Sequence, residues 1–442
     1  MSNASRGRLR NLTALQAIRR TWVAGVAIVV LFAAAAPTSG AVSPPVMRSI
    51  RASDFTLAYS ETSAGALAAL DARTRPATFG AVLDGAPWPL TTSCPERAVA
   101  LPKSVRAQRT ICWGDSENGV AGDVSTSPWV PQGIAVSGEA NISGSVQNHR
   151  AIIASWTRNT DNVPASETDT PAFGHNDMRL AFVNYDDENA PRFRWVLPVQ
   201  VGQGGSGLTM TPTPGHGGGL AWYANFVFMT DTNGGIRVFD INRIRAVETG
   251  TNVGCSATSC TAGKHTYVMP QVAYYRDNTS LTFDSLALDR SSTPDSLVAG
   301  EYRQASDSLT TRVVRFPFTA DYRLTGTASE AWQAMDVGGA DTVKNLQGAQ
   351  INDGRLLMGR SDDPTAGRLF RVGPDLADTP QDCPPENGVR PHFCWATGVE
   401  DMSLWYYPSQ QDPSNANTGE LWTHTEKEGR RVMFSVALAD IS

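Results

Sequence analysis

The sequence predicts an all-β protein, a β-propeller with five visible blades and room for a sixth. Three observations lead there. From about Trp113 onward, short alternating apolar runs bounded by Gly, Asn, Asp or Pro recur, with no long amphipathic helix between them. A strand of the form arginine–aliphatic–phenylalanine occurs five times. The 39 Gly, 27 Pro and 11 Trp among 442 residues favour turns and aromatic β-packing over helices.

The clearest blade is residues 216–240, HGGGLAWYANFVFMTDTNGGIRVFD. Leu220 to Tyr223, Phe226 to Thr230 and Ile236 to Phe239 alternate as strands. Ala224-Asn225 and Asn233-Gly234-Gly235 separate them, and Asn-Gly favours the positive φ that tight hairpin turns need. Its third strand carries Arg237-Val238-Phe239. Matching third strands begin at Arg179, Arg312, Arg368 and Arg431. Each lies downstream of a candidate first strand, and these open at Gln132, His216, Asp284, Gln347 and Glu400-Asp401. Second strands are expected at Ala151 to Trp156, Phe226 to Thr230, Ser296 to Gly300, Leu356 to Arg360 and Glu420 to Thr423. WVLPVQV from Trp195 and YVMPQVA from Tyr267 read as outer fourth strands, where proline is tolerated. The competing reading is one large β-sandwich with coincidental strand similarity.

The ends of the chain frame this domain. Residues 1–41 read as a signal peptide: Arg6, Arg8, Arg10, Arg19 and Arg20, then the apolar run from Trp22 to Ala36, then Ser39-Gly40-Ala41, with Ala36 as the alternative cleavage point. Fifteen apolar residues fall short of the roughly 20 that a membrane span needs. Residues 42–112 read as an irregular arm or an incomplete blade, with a strand at Asp54 to Ser60 and a short helix from Ala64. Residues 113–442 read as the propeller. Because the chain stops just after a third strand, the arm is a candidate to complete the last blade.

Charge narrows the partners. Losing five arginines takes the net charge from −6 to about −11. An acidic surface disfavours nucleic acid and anionic lipid. It fits a secreted monomer with a small-molecule, glycan or cation ligand. The six cysteines form three local pairs, Cys94/Cys112, Cys255/Cys260 and Cys383/Cys394, read as disulfides closing short loops in an oxidising compartment. No C-x-x-C, G-x-S-x-G or HExxH is present.

First-strand openings in a propeller cluster at one mouth of the central channel. His216, Gln132 and Gln347 are therefore the candidate ligand-binding residues. Asp284, Glu400 and Asp401 are oxygen donors suited to Ca²⁺. The competing reading is that these groups cap blade-start backbone N–H groups. Trp222 is a candidate for stacking on a sugar; packing between blades is the alternative. His175 is expected on a loop near a mouth, and His424 with Glu426 is expected to form a surface pair. The run from Gly202 to Gly207 lacks the end of a phosphate-binding loop and reads as a mobile loop.

WVPQGI, the 216–240 stretch, YVMPQVAYY, NLQGAQINDGRLLMGRS and VEDMSLWYYP with ELWTHTE resemble a group of exported bacterial propeller proteins of unknown function, remotely similar to lactonase and phytase-like propellers. The resemblance spans about Cys112 to Ser442. It implies a channel metal held by carboxylates and amides, with Gln132, Asp284, Gln347, Glu400 and Asp401 in those roles. Three functions follow: a ligand-binding propeller first, then a metal-dependent hydrolase of lactonase or phosphoesterase type, then an interaction scaffold.

Overall fold

The computed structural model describes residues 46–95, 100–113, 128–159, 173–205, 207–232, 234–338, 342–362, 366–378, 395–406 and 418–441. Residues 1–41, read above as a signal peptide, and Cys383 and Cys394 lie outside the described residues. What is described is all-β. Strands β1 (Met47–Ser49), β2 (Leu57–Glu61), β3 (Trp88–Thr91) and β4 (Ala107–Trp113) come first, with short helices α1 (Ala64–Asp71) and α2 (Phe79–Asp84) between β2 and β3.

Five antiparallel meanders follow. The first is β5 (Trp129–Val136), β6 (Ala151–Arg158), β7 (Met178–Asn184) and β8 (Arg192–Gly204), with a one-turn helix α3 (Ser137–Ala140) after β5. The second is β9 (Leu220–Tyr223), β10 (Phe226–Asp231), β11 (Gly235–Asp240) and β12 (Tyr267–Asp277). The third is β13 (Phe283–Asp289), β14 (Ser296–Glu301), β15 (Arg312–Pro317) and β16 (Glu330–Ala334). The fourth has three strands, β17 (Leu346–Asn352), β18 (Arg355–Arg360) and β19 (Arg368–Val372). The fifth has β20 (Val399–Tyr406), β21 (Gly419–Thr425) and β22 (Val432–Ala437).

The N-terminal segment supplies outer strands. β4 pairs antiparallel with β22, so the start of the chain adds a fourth strand to the fifth meander, and β3 pairs with β4 beyond it. β2 pairs with β12, and β1 with β16. β3 also pairs with the start of β8, so the segment forms no separate meander; it is shared among four. The proline-bearing strands β8 and β12 are not free edges either. They pair in parallel at Met269–Pro198 and Pro270–Val199, and β2 covers the far half of β12. These outer pairings join the first, second and fifth meanders into one large barrel-like closed sheet. The first strands contact one another in a cycle: β5 on β9, β9 on β13, β13 on β17, β17 on β20, and β20 on β5.

The recurrent arginine has a physical cause. In the second and third meanders it stands on the third strand beside the acid that ends the second, and ties the hairpin. Arg237 Nη2 donates to Asp231 at 2.6 Å, and Arg312 Nε to Glu301 at 2.7 Å. In the first meander the same position, Arg179, is buried instead between Trp129 and Trp195, 4.1 and 3.8 Å from the ring centroids, where cation–π attraction replaces the acid. The phenylalanines point into the packing between neighbouring sheets, and Phe182, Phe239, Phe316, Phe370 and Phe434 are all buried. Burying an aromatic side chain of this kind contributes roughly 2–3 kcal/mol.

Disulfides join Cys94 to Cys112 and Cys255 to Cys260, with Cα separations of 5.5 and 4.0 Å. The first anchors the loop after β3 onto β4; the second closes a hairpin tip. No helix among the described residues is long and apolar enough to cross a membrane.

Candidate functional site

The backbones of the five first strands need a common partner where they meet, because neighbouring meanders share no ladder hydrogen bonds there. Two buried carboxylates supply it for four of the five. Asp401, on β20, is fully buried and accepts the backbone N–H groups of Leu220 (2.7 Å), Ile134 (3.3 Å) and Leu286 (3.3 Å). One side chain thus joins β5, β9 and β13 to β20. At the far end, Glu139 of α3 accepts from Leu288 N (2.6 Å), Trp222 N (3.1 Å) and Ser403 Oγ (2.9 Å). Burial outweighs these donors: it holds Glu139 up at about 8 and Asp401 well above the usual carboxylate range.

At the other end of the ring, where the first strands begin, lies a cavity of about 550 Å³. Gln132, His216, Asp284 and Gln347 all line it, each from a different meander. The fifth contributes Glu400 behind Gln347, whose Nε2 donates to Glu400 Oε1 at 3.3 Å, and Glu426, Lys427 and Arg431 on the wall. His175, Asn176, Tyr302 and Thr282 complete much of the lining. Four expected residues are therefore brought to one pocket and a fifth adjoins it. Asp401 lies deeper, with both oxygens engaged by backbone. Trp222 is not brought to the pocket. Its ring is wholly buried in the core, 5.4 Å from the Phe79 ring centroid, with no face open to a sugar.

Local backbone explains how these side chains reach the pocket. Four first strands slip register where the polar residue sits: between Pro131 and Ile134, Phe283 and Ser285, Leu346 and Gly348, and Val399 and Met402. A bulge of this kind re-aims the side chain it carries. The remaining first strand is preceded by the glycine run after His216, where the neighbouring strand comes close. A Cβ on Gly218 would lie 2.5 Å from the Asp284 carbonyl oxygen, and one on Gly219 2.3 Å from Leu286 N.

The electrostatics differ from those of the deeper carboxylates. Burial, then repulsion from Glu426, pushes Asp284 up to about 8. Burial, then Glu426 and Asp284, holds Glu400 well above its ordinary value. Tyr302, also on the pocket wall, is raised by burial and then by Asp284, Glu400 and Glu426. His216 sits in a concave wall that leaves its ring open to solvent while protein surrounds it. That partial desolvation, with His175 nearby, lowers its pKa. Asp284 Oδ2, Gln347 Oε1 and Glu400 Oε2 are buried and have no hydrogen-bond donor. Such atoms normally find a partner.

His424 departs from expectation. It is not at the surface with Glu426 but fully buried, with Nε2 against the Gln132 carbonyl at 2.5 Å. Burial lowers it to about 4, so it is a neutral donor beneath the pocket. Among the described residues, no three His, Cys, Asp or Glu side chains gather closely enough to hold a metal ion. Compared with known families and curated proteins, the chain matches no family model and no curated relative.

Proposed function

We propose that this is an exported five-bladed β-propeller that binds a small polar ligand in the pocket at the opening of its first strands. The cyclic neighbourhood of β5, β9, β13, β17 and β20 supports five blades, with β4 completing the last. The leader, the acidic charge and the two disulfides support export. One observation carries the binding role. Asp284 Oδ2 and Gln347 Oε1, with Glu400 Oε2 behind them, are buried acceptors without donors at a pocket of about 550 Å³. That volume is in the range of small-molecule sites, roughly 300–1,000 Å³. A ligand bringing donors satisfies what the protein leaves open, and each buried acceptor so paired is worth on the order of 1 kcal/mol.

The test is a thermal-shift and calorimetric screen of the exported chain against neutral sugars, amino sugars and CaCl₂, repeated on Asp284→Asn. The expected outcome is a ligand that raises the melting temperature of the wild type and not of the variant. A ligand bound equally by both would place binding elsewhere. Hydrolysis of a lactone or phosphoester on adding Ca²⁺ would replace binding with metal-dependent catalysis.

A further inference from the structure

We infer that the ligand of this pocket is a small amino sugar with a free amine, its ammonium seated on Asp284 and Gln347. The inference rests on the binding reading above and narrows it to one chemical class. It starts from which partner the unpaired atoms ask for. Gln347, on the cavity wall, spends its Nε2 on Glu400, so Oε1 is the atom left without a partner. Asp284, also on the wall and only 7% exposed, likewise leaves Oδ2 without a donor. Glu400 Oε2 is a third acceptor close behind. The floor is therefore made of acceptors, and a primary ammonium carries three donors on a compact head with no acceptor.

Charge points the same way. Asp284, Glu400 and Glu426 face one another, with His216, His175 and Tyr302 on adjoining walls and Asp401 beneath. The cations of the wall are engaged elsewhere: Lys427 pairs with Glu426, while Arg431 Nε donates to the Glu426 carbonyl at 2.9 Å and its guanidinium lies 5.4 Å from the Trp156 ring centroid. A neutral sugar supplies donors only, whereas an ammonium also favours the ionised form of carboxyls that burial and mutual repulsion otherwise keep protonated, so its binding releases a proton. A bare divalent ion would compete for the same oxygens, and the titration below includes it as the opposing outcome. The cavity also has room for far more than an ion. Its upper wall offers hydroxyls and amides, among them Thr157, Thr232, Thr282 and Asn176, suited to a hydroxylated ring carrying the amine.

The experiment is isothermal titration of the exported chain with D-glucosamine, N-acetyl-D-glucosamine and D-glucose at pH 6.5. Glucosamine is expected to bind at least ten-fold tighter than either neutral analogue. Asp284→Asn should erase that preference while keeping the wild-type circular dichroism spectrum. Glu400→Gln should weaken glucosamine more than glucose. Equal affinity for all three sugars overturns the ammonium seat but leaves a sugar-binding pocket. Tight, stoichiometric Ca²⁺ binding that excludes glucosamine overturns it in favour of an ion. If none of the three sugars binds while another member of the screen does, the amino-sugar assignment falls alone. If nothing in the screen binds, both readings fall.

Discussion

Asp284→Asn should make this protein more stable at neutral pH, and the gain should disappear in acid. The Asp284 carboxyl is buried, one of its oxygens has no donor, and Glu426 repels its charge; its pKa is pushed from 3.8 to about 8. A folded-state pKa above the unfolded one adds stability that is fully present below 3.8 and lost as pH rises toward 8. At pH 7 the folded carboxyl still holds its proton while the unfolded one has released it. Each pH unit between 3.8 and 7 costs about 1.4 kcal/mol, so the ceiling is about 4 kcal/mol. Asparagine has the same shape and never ionises. The variant should therefore gain up to about 4 kcal/mol at pH 7 and almost nothing near pH 4. Urea unfolding of both proteins at pH 4, 5.5 and 7 reads the difference directly. A variant less stable than wild type at pH 7, or an offset independent of pH, would refute this account of the pocket. The gain in stability should accompany loss of ligand, the usual exchange at a binding site.

Asp401→Ala leaves three buried N–H groups without an acceptor and should cost on the order of 3–5 kcal/mol or prevent folding, whereas Asp401→Asn should cost less; soluble yield and melting temperature distinguish them. His424 is neutral when folded, with its pKa lowered from 6.5 to about 4, so acidification through that window favours the unfolded chain. The stability of wild type relative to His424→Gln should fall by about 3 kcal/mol between pH 7 and pH 4 in urea titrations. Deleting everything before residue 114 removes β4 and exposes the β22 edge, and should give an insoluble chain on expression. Replacing Cys94 and Cys112 by serine opens a bridge between residues 18 apart and should cost about 3 kcal/mol, read as a lower melting temperature.

What the sequence made legible was the repeating part of the fold, and the reason is chemical. An arginine opening a third strand must pair with an acid or an aromatic face, and a phenylalanine two or more residues on must be buried, so the pattern survives in Arg237, Arg312 and Arg368 despite loops of different length. Pairings between distant segments leave no such local mark. Nothing in MRS at 47–49 or LAYSE at 57–61 says which outer edge it covers. β16 (EAWQA) was missed because it is short and partly exposed, without the apolar run of β8 or β12. The polar residues opening the first strands were visible by position, but the bulges that aim them were not. Trp222 and His424 failed for one reason: alternation says that a residue is on a face, not whether that face meets core or water. Glu139 carried a usable signal, a lone acid following the apolar strand PQGIAV, and its burial is the consequence.

Four carboxylates stand along the centre of this ring, and residue type alone cannot sort them. Their donors do. Glu139 accepts two backbone N–H groups and a hydroxyl, and Asp401 accepts N–H groups from three first strands, so both act as joints of the fold. Asp284 and Glu400 are as deeply buried, yet each retains an oxygen with no donor. A fold that needed them only as joints would have given those oxygens backbone N–H groups, as it did a few residues away for Asp401. The bulges at Asp284 and Gln347 bring those groups to the cavity wall, with Glu400 behind Gln347, instead of toward the neighbouring strand. The stability lost there at neutral pH is what the proposed ligand would offset.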